Sequence, residues 1–221
     1  MTVLVTGASG GIGYAVTEYL ASKSIGVYAF DVCERTFSNE NVTFFPLDIS
    51  KPEEIEKTAK RLQESKVEFD AIINIAGIFT IDSFIEIPPE VLQKMVDVNF
   101  LGAVFINKYF HPLLKKDGRI LITTSEVAPL EPLPFNSIYS ATKTALESYS
   151  QGLRQELNLL GQKFGMLTVI EEYPKIKNRT AWLCKCECGN QKAVITKSLR
   201  NGNTKSCGCL HKKTVSKDLS N

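Results

Sequence analysis

Short apolar runs alternate with stripes at helical spacing across the first 160 residues. Val3-Leu-Val reads as a buried strand, followed by a helical pattern from Tyr14 to about Ser22. Gly26-Val-Tyr-Ala-Phe30 and Val42-Thr-Phe-Phe are second and third strands. Pro52 to Lys66 is a charged amphipathic helix with Ser50 as its cap and Pro52 in its first turn. Ala71-Ile-Ile-Asn74 is a fourth strand, Val91 to Leu114 a largely apolar helix, and Arg119-Ile-Leu-Ile-Thr-Thr-Ser125 a fifth strand ending in hydroxyls. Residues 129–134 form a loop and Ser137 to Leu160 a long helix. Strands alternating with helices predict an α/β fold built on a doubly wound parallel sheet.

Beyond Leu160 the pattern changes. Leu167-Thr-Val-Ile170, Ala181-Trp-Leu-Cys184 and Ala193-Val-Ile-Thr196 suggest a small β-rich module. Charge changes at the same place: residues 1–160 hold 14 Lys+Arg against 20 Asp+Glu, a net of −6, and residues 161–221 hold 12 against 4, a net of +8. Cysteine follows suit, with Cys33 early and Cys184, Cys186, Cys188, Cys207 and Cys209 crowded near the end. An acidic body and a basic, cysteine-rich tail predict two units. The expected division is 1–160, 161–213 and a flexible 214–221. No run approaches the ~18 apolar residues of a membrane span. The chain opens directly on a strand pattern without a leader, so a cytoplasmic compartment and no membrane partner are expected.

Three patterns carry candidate chemistry in the body. The turn Thr6-Gly-Ala-Ser-Gly-Gly-Ile-Gly13 lies between a strand and a helix, where bare backbone can approach a pyrophosphate at the helix N-terminus. Asp31 ends the second strand, 18 residues after Gly13. An acid there accepts ribose hydroxyls and repels a 2′-phosphate, favouring NAD over NADP, while nearby Arg35 blunts that preference. Tyr139 and Lys143 are four residues apart, so both project from one helix face. An ammonium beside a phenol favours the phenolate and makes the tyrosine a usable proton donor and acceptor. Alone, Tyr-x-x-x-Lys is a common solvated helix face; its weight comes from the upstream motifs.

Taken in order, Thr6-Gly-Ala-Ser-Gly-Gly-Ile-Gly13, Asp31, Leu47-Asp48, Asn74-Ile-Ala-Gly77, Asn99, Ser125 and Tyr139-x-x-x-Lys143 resemble the short-chain dehydrogenase/reductase family. The resemblance covers residues 1–160 and implies a Rossmann-like sheet and an NAD(P)-dependent enzyme interconverting a hydroxyl and a carbonyl of a small-molecule substrate. It implies that Ser125 holds the substrate oxygen and Tyr139 exchanges the proton. Lys143 bonds the nicotinamide ribose and lowers the Tyr139 pKa, and Asn99 positions a water in the proton relay. Gly7, Ser9, Gly11, Ile12, Gly13 and Asp31 line the diphosphate and adenosine end, Asp48 contacts the adenine, and Asn74 and Gly77 support the cofactor. The helices over 98–114 and 137–160 form the contact of a dimer or tetramer. The family's last strand and substrate lobe do not follow Leu160 recognisably, so the sheet is expected to be incomplete at its C-terminal end. Leu167-Thr-Val-Ile170 stands at the place of the sixth strand, but Glu171-Glu-Tyr-Pro-Lys departs from the family pattern there.

In the tail, two tight cysteine clusters about twenty residues apart suit a tetrahedral zinc ion. Five cysteines and His211 exceed four ligands; Cys186, Cys188, Cys207 and Cys209 are favoured, with Cys184 as first substitute. Residues 161–213 also resemble a cysteine-rich, zinc-ribbon-like module of phage and mobile-element proteins. They share its form Gly-x-x-Phe-Gly-x-Leu-Thr-Val-Ile, Trp-x-Cys-x-Cys-x-Cys-Gly and Ser-Cys-Gly-Cys. That resemblance implies nucleic-acid contact, which Lys192, Lys197, Arg200, Lys205, Lys212 and Lys213 fit. Two readings stand: an NAD-preferring oxidoreductase with a zinc tail, or a nucleic-acid-binding module fused to an inactive dehydrogenase remnant. The two resemblances meet at Gly161-Gln-Lys163, which suggests a chimera.

Overall fold

A computed structural model describes residues 1–126, 134–157, 159 and 161–210. Most of the expected 129–134 loop, positions 158 and 160 of the expected long helix, His211, Lys212, Lys213 and the 214–221 tail lie outside the described residues. The chain divides into two compact units, Met1–Ser150 and Gln151–Asn221.

In the first unit the chain runs β1 (Thr2–Thr6), α1 (Gly11–Ser22), β2 (Gly26–Asp31), β3 (Val42–Pro46), α2 (Pro52–Glu64) and β4 (Phe69–Asn74). It continues with α3 (Pro89–Val96), α4 (Ala103–Phe110), β5 (Leu114–Ile122) and α5 (Ser137–Leu157), which runs past the unit's end. All five strands pair in parallel, in the order β3-β2-β1-β4-β5. Strand alternation gives the sheet two buried faces. Leu4 packs with Phe30, Ile72 and the α2 and α4 residues Ile55 and Ile106 on one side, and Val3 and Val5 pack with Ala21, Val27 and Ala29 on the other. The order reverses between β1 and β4, and a crevice opens there beyond the strands' carboxyl ends.

Several boundaries differ from the pattern-based expectation. Helix α1 begins at Gly11, not Tyr14, because the last glycines of the turn already form its first turn. Ser50 does not cap α2: Lys51 holds the cap position without a side-chain bond, and the Ser50 hydroxyl donates to Asp48 Oδ1 at 2.7 Å. The single helix expected over 91–114 is instead α3, a π-helical turn over Asp97–Gly102, α4 and a 3-10 turn over His111–Leu113. A π turn inserts a residue and re-aims side chains, and this one carries Asn99. Strand β5 starts at Leu114, five residues early; its pairing jumps from Phe69↔Leu114 to Ala71↔Arg119. Among the described residues β5 pairs with β4 alone.

The second unit holds β6 (Lys163–Phe164), β7 (Leu167–Ile176), β8 (Arg179–Cys186), β9 (Gln191–Ile195) and α6 (Thr196–Arg200), with an antiparallel sheet in the order β6-β7-β8-β9. Leu167–Ile170 therefore belongs to this sheet and does not take a sixth place in the parallel one. Leu167, Val169, Trp182, Cys184, Val194 and Leu199 make its small core, and the Trp182 indole donates to Thr196 Oγ1 at 2.8 Å. No helix among the described residues is long and apolar enough to cross a membrane.

Candidate functional site

The glycine turn after β1 is shaped by two close approaches. Gly7 has φ +69°, and a Cβ there would lie 2.7 Å from the Ala76 Cα. A Cβ at Gly13 would lie 2.7 Å from the Gly7 carbonyl carbon and closer still to its oxygen. The turn thus folds tightly against both α1 and the segment after β4. At Gly11 a Cβ would meet no atom within 4 Å, so the start of α1 faces open space. That helix has no side-chain cap bond and no acid in its first turn. Its free N–H groups and dipole suit an anion, as a pyrophosphate requires.

Asp31 joins the end of β2 to this turn. Its carboxylate accepts the Ser9 N–H and the Cys33 N–H, both at 3.0 Å, while the Ser9 hydroxyl donates to the Cys33 carbonyl at 2.6 Å. Arg35 donates to the Ser9 carbonyl at 2.8 Å and stacks 3.6 Å above the Tyr14 ring. Partial burial pushes the Asp48 carboxyl up, but the Ser50 hydroxyl and N–H, with Lys51 and Lys94, outweigh it and hold it below its ordinary value.

At the other end, Tyr139 and Lys143 share a face of α5, with Nζ 5.8 Å from the phenol ring centre. Lys143 is 4% exposed, and burial lowers its pKa. Its ammonium donates to the Thr123 carbonyl at 3.1 Å. Thr123 is itself tied to Asn74, whose carbonyl accepts both the Thr123 N–H and hydroxyl. A Cβ at Gly77 would come 3.4 Å from Asn99 Oδ1 and 3.5 Å from Lys143 Nζ, so glycine keeps that corner clear.

A cavity of about 670 Å³ joins the two ends. Gly7, Gly11, Ile12, Asp31, Asp48, Gly77, Tyr139 and Lys143 line it. Ser9, Gly13, Asn74 and Asn99 are buried and do not line it. Asn99 accepts the Ile78 N–H at 2.7 Å and donates to the Ile78 carbonyl at 2.8 Å, pinning the loop after β4. Asn74 donates to Asn107 Oδ1 at 2.9 Å and to the Leu121 carbonyl at 3.2 Å. Ser125 lies three residues past β5, partly buried, and the lining on that side is Thr123 and Thr124. Sequence reasoning did not single out Thr123, Lys94 or Phe79, which also line the cavity, nor Asn107. Asn107 was findable as a lone amide on an apolar helix; the others carry no signal in one sequence.

In the second unit the sulfurs of Cys186, Cys188, Cys207 and Cys209 all lie within 4.8 Å of one another. Cys186 and Cys209 are 3.7 Å apart and Cys188 and Cys207 3.3 Å. Four thiolates at about 2.3 Å from one zinc would stand about 3.8 Å apart, so this donor set fits a tetrahedral ion. The hydrogen bond with Cys188 pushes the Cys207 thiol down to about 6. The Asn190 N–H lowers the Cys188 thiol, but its hydrogen bond with Cys207, together with Cys186 and Cys209, outweighs this and pushes it up to about 11. Cys184 is apart from the group: it is fully buried in the core, its thiol facing the Trp182 carbonyl at 3.7 Å, and burial raises its pKa.

Residues 1–167 match the family described as short chain dehydrogenase. Estradiol 17-beta-dehydrogenase 2 of Mus musculus is 34% identical over 175 aligned positions, covering 73% of this chain and 45% of that protein. The NADPH-dependent 1-acyldihydroxyacetone phosphate reductase of Saccharomyces cerevisiae is 33% identical over 166 positions, covering 70% and 55%. A solved 4-hydroxyisoleucine dehydrogenase complexed with NADH and succinate superposes with a TM-score of 0.65 at 26% identity, over 71% of this chain and 73% of that one. The chain thus spans about half the length of these curated relatives.

Proposed function

We propose, since this chain belongs to the short chain dehydrogenase family over residues 1–167, that it interconverts a hydroxyl and a carbonyl on a small molecule with NAD as the preferred cofactor. The observation that carries the reading is the one cavity wall shared by the open N-terminus of α1 and by the Tyr139–Lys143 pair. The bound nicotinamide supplies or takes the hydride. Tyr139 gives a proton to the nascent alkoxide, or takes it from the alcohol, while Ser125 holds the substrate oxygen. Lys143 places its charge beside the phenol and bonds the nicotinamide ribose. Asn99 fixes the loop after β4 and serves the proton relay from there. Gly7, Gly11, Ile12 and Gly13 receive the diphosphate, with Ser9 and Asp31 setting the adenosine end. Asp48 meets the adenine, and Asn74 and Gly77 support the cofactor. NADP is the lesser partner because Asp31 opposes a 2′-phosphate; its relatives' names include both NADH and NADPH.

Thermal unfolding with and without saturating NADH tests the cofactor site. A ligand at a hundredfold excess over Kd adds about 2.7 kcal/mol. Tyr139→Phe should keep that shift and lose turnover by a factor of roughly 10²–10⁴. Turnover persisting in this variant would rule out the proton role.

A second reading concerns the module after residue 160. The four clustered sulfurs support a structural zinc held by Cys186, Cys188, Cys207 and Cys209. So small a core gains from such a staple. In the alternative, the body is an inactive remnant carrying a nucleic-acid-binding module; absence of any NADH shift would favour it.

A further inference from the structure

We infer that Asn107 is a positioning residue for the Tyr139–Lys143 pair, an inference that rests on the dehydrogenase reading of that pair. Hydrogen bonds through Asn107 form a closed circuit that starts and ends on α5. The Lys143 ammonium donates to the Thr123 carbonyl at 3.1 Å, and the Thr123 hydroxyl donates to the Asn74 carbonyl at 2.9 Å. The Asn74 side-chain amide donates to Asn107 Oδ1 at 2.9 Å, and Asn107 Nδ2 donates to the Tyr149 hydroxyl at 3.5 Å. Lys143 and Tyr149 both belong to α5, whereas Asn107 lies on α4. Asn107 is buried, and its two polar atoms serve different elements: the oxygen takes the end of β4 and the nitrogen takes α5. Asn74 also donates to the Leu121 carbonyl at 3.2 Å, so the same amide pair ties β5 into the circuit. A hydrocarbon side chain at position 107 would break both links at once.

The π turn gives this amide its direction. On α5 the hydroxyls of Thr142 and Tyr149 are seven residues apart, and Asn99 Nδ2 donates to the first at 3.3 Å. A seven-residue step on an α-helix falls about 20° short of two full turns, so both hydroxyls share a face. Asn99 and Asn107 are eight residues apart. In an unbroken α-helix that step overshoots two turns by about 80° and would aim one amide away from α5. The turn over Asp97–Gly102 takes up the extra residue, so both amides meet α5. Two buried amides therefore clasp the helix on either side of Lys143. Asn99 holds Thr142, whose hydroxyl donates to the Tyr139 carbonyl at 2.7 Å, and Asn107 holds Tyr149, whose ring meets Phe100 edge-on.

The test compares the full chain with its Asn107→Leu and Tyr149→Phe variants. The second opens the circuit from the α5 side, keeps the ring that meets Phe100, and decides the matter by itself where Asn107→Leu fails to fold. Each protein is treated with an amine-reactive acetylating reagent well below its thermal midpoint. The rate at buried Lys143 is read by peptide mass spectrometry against exposed Lys57. Opening the circuit should raise the Lys143 rate several-fold in both variants and leave the Lys57 rate unchanged. Because reacting groups tolerate little misplacement, kcat should fall by roughly 10–10² while KM stays nearly constant. An unchanged Lys143 rate in either folded variant, or a raised rate with undiminished turnover, would overturn the inference. In a wild type that shows no turnover the dehydrogenase reading fails, and the Lys143 rates alone still decide whether Asn107 holds the pair.

Discussion

Gly13→Ala turns the geometry of the glycine turn into a measurable quantity. In most helices this exchange stabilises, by about 1 kcal/mol, because alanine restricts the unfolded chain and favours the helix. Here the new methyl would sit 2.7 Å from the Gly7 carbonyl carbon and nearer to its oxygen. Relief to about 3.4 Å, an ordinary contact distance, needs a shift of at least about 0.7 Å. The obstructing atoms are backbone, and the Gly7 N–H is itself fixed to the Phe30 carbonyl at 2.9 Å. Overpacking of this kind costs about 3 kcal/mol, so the net loss is about 2 kcal/mol. For a chain of this size that lowers the thermal midpoint by roughly 4–8 °C. Gly11→Ala is the matched control: the same methyl two residues earlier meets nothing within 4 Å and should leave the midpoint unchanged or raise it. It should weaken NADH binding instead, because it fills the open space before α1. Thermal scans of the two variants side by side decide the matter. Midpoints agreeing within about 1 °C would refute the close-packing account.

Lys143→Met should stabilise the apo chain at neutral pH while abolishing turnover. The folded pKa of Lys143 is lowered from 10.5 by burial, so the folded state holds that proton less tightly than the unfolded one. The penalty is complete below the folded pKa and disappears as pH rises to the unfolded value. The stability gap between variant and wild type should therefore narrow from pH 7 toward 10.5, as denaturant titrations would show; a constant gap would count against a buried charge. Cys207→Ser should eliminate bound zinc measured by elemental analysis, and chelation of the wild type should lower the stability of the module. Cys184→Ala should retain the metal and cost about 1 kcal/mol as a lost core contact; loss of zinc in that variant would place Cys184 among the ligands.

Much of the fold is legible in the sequence because period-two apolar runs and glycine turns are local signals. The five strands of the body, their alternation with helices and the change of character after residue 160 all follow from such signals. The Gly7–Gly13 turn and the pairing of Tyr139 with Lys143 on one face are of this kind too, since a four-residue helical spacing fixes relative direction. The π turn at Asp97–Gly102 was not legible, because it goes with contacts to residues distant in sequence, the bonds of Asn99 to Ile78 and the close approach of Ile49 to Gly102. The early start of β5 was hidden likewise, since Lys115, Lys116 and Asp117 carry no strand pattern and Leu114 is recruited by Phe69.

By itself the sequence determined the chemistry available: a glycine turn able to receive an anion, a phenol with an ammonium beside it, and five clustered thiols. Spacing along a chain reports only neighbours within a turn or a pleat. Tertiary structure decided which of these groups meet. It buried Lys143 beneath Thr123, brought Gly77 against Asn99 and Lys143, and carried Asn74 behind the cavity wall to bond Asn107. It also divided the thiols: Cys184 and Cys186 share one face of β8, but Cys186, at the strand's end, meets Cys188, Cys207 and Cys209 while Cys184, one pleat earlier, is enclosed by the core. The reason is the same in each case: long-range packing fixes distances between residues far apart in sequence, and those distances set burial, hydrogen bonding and charge.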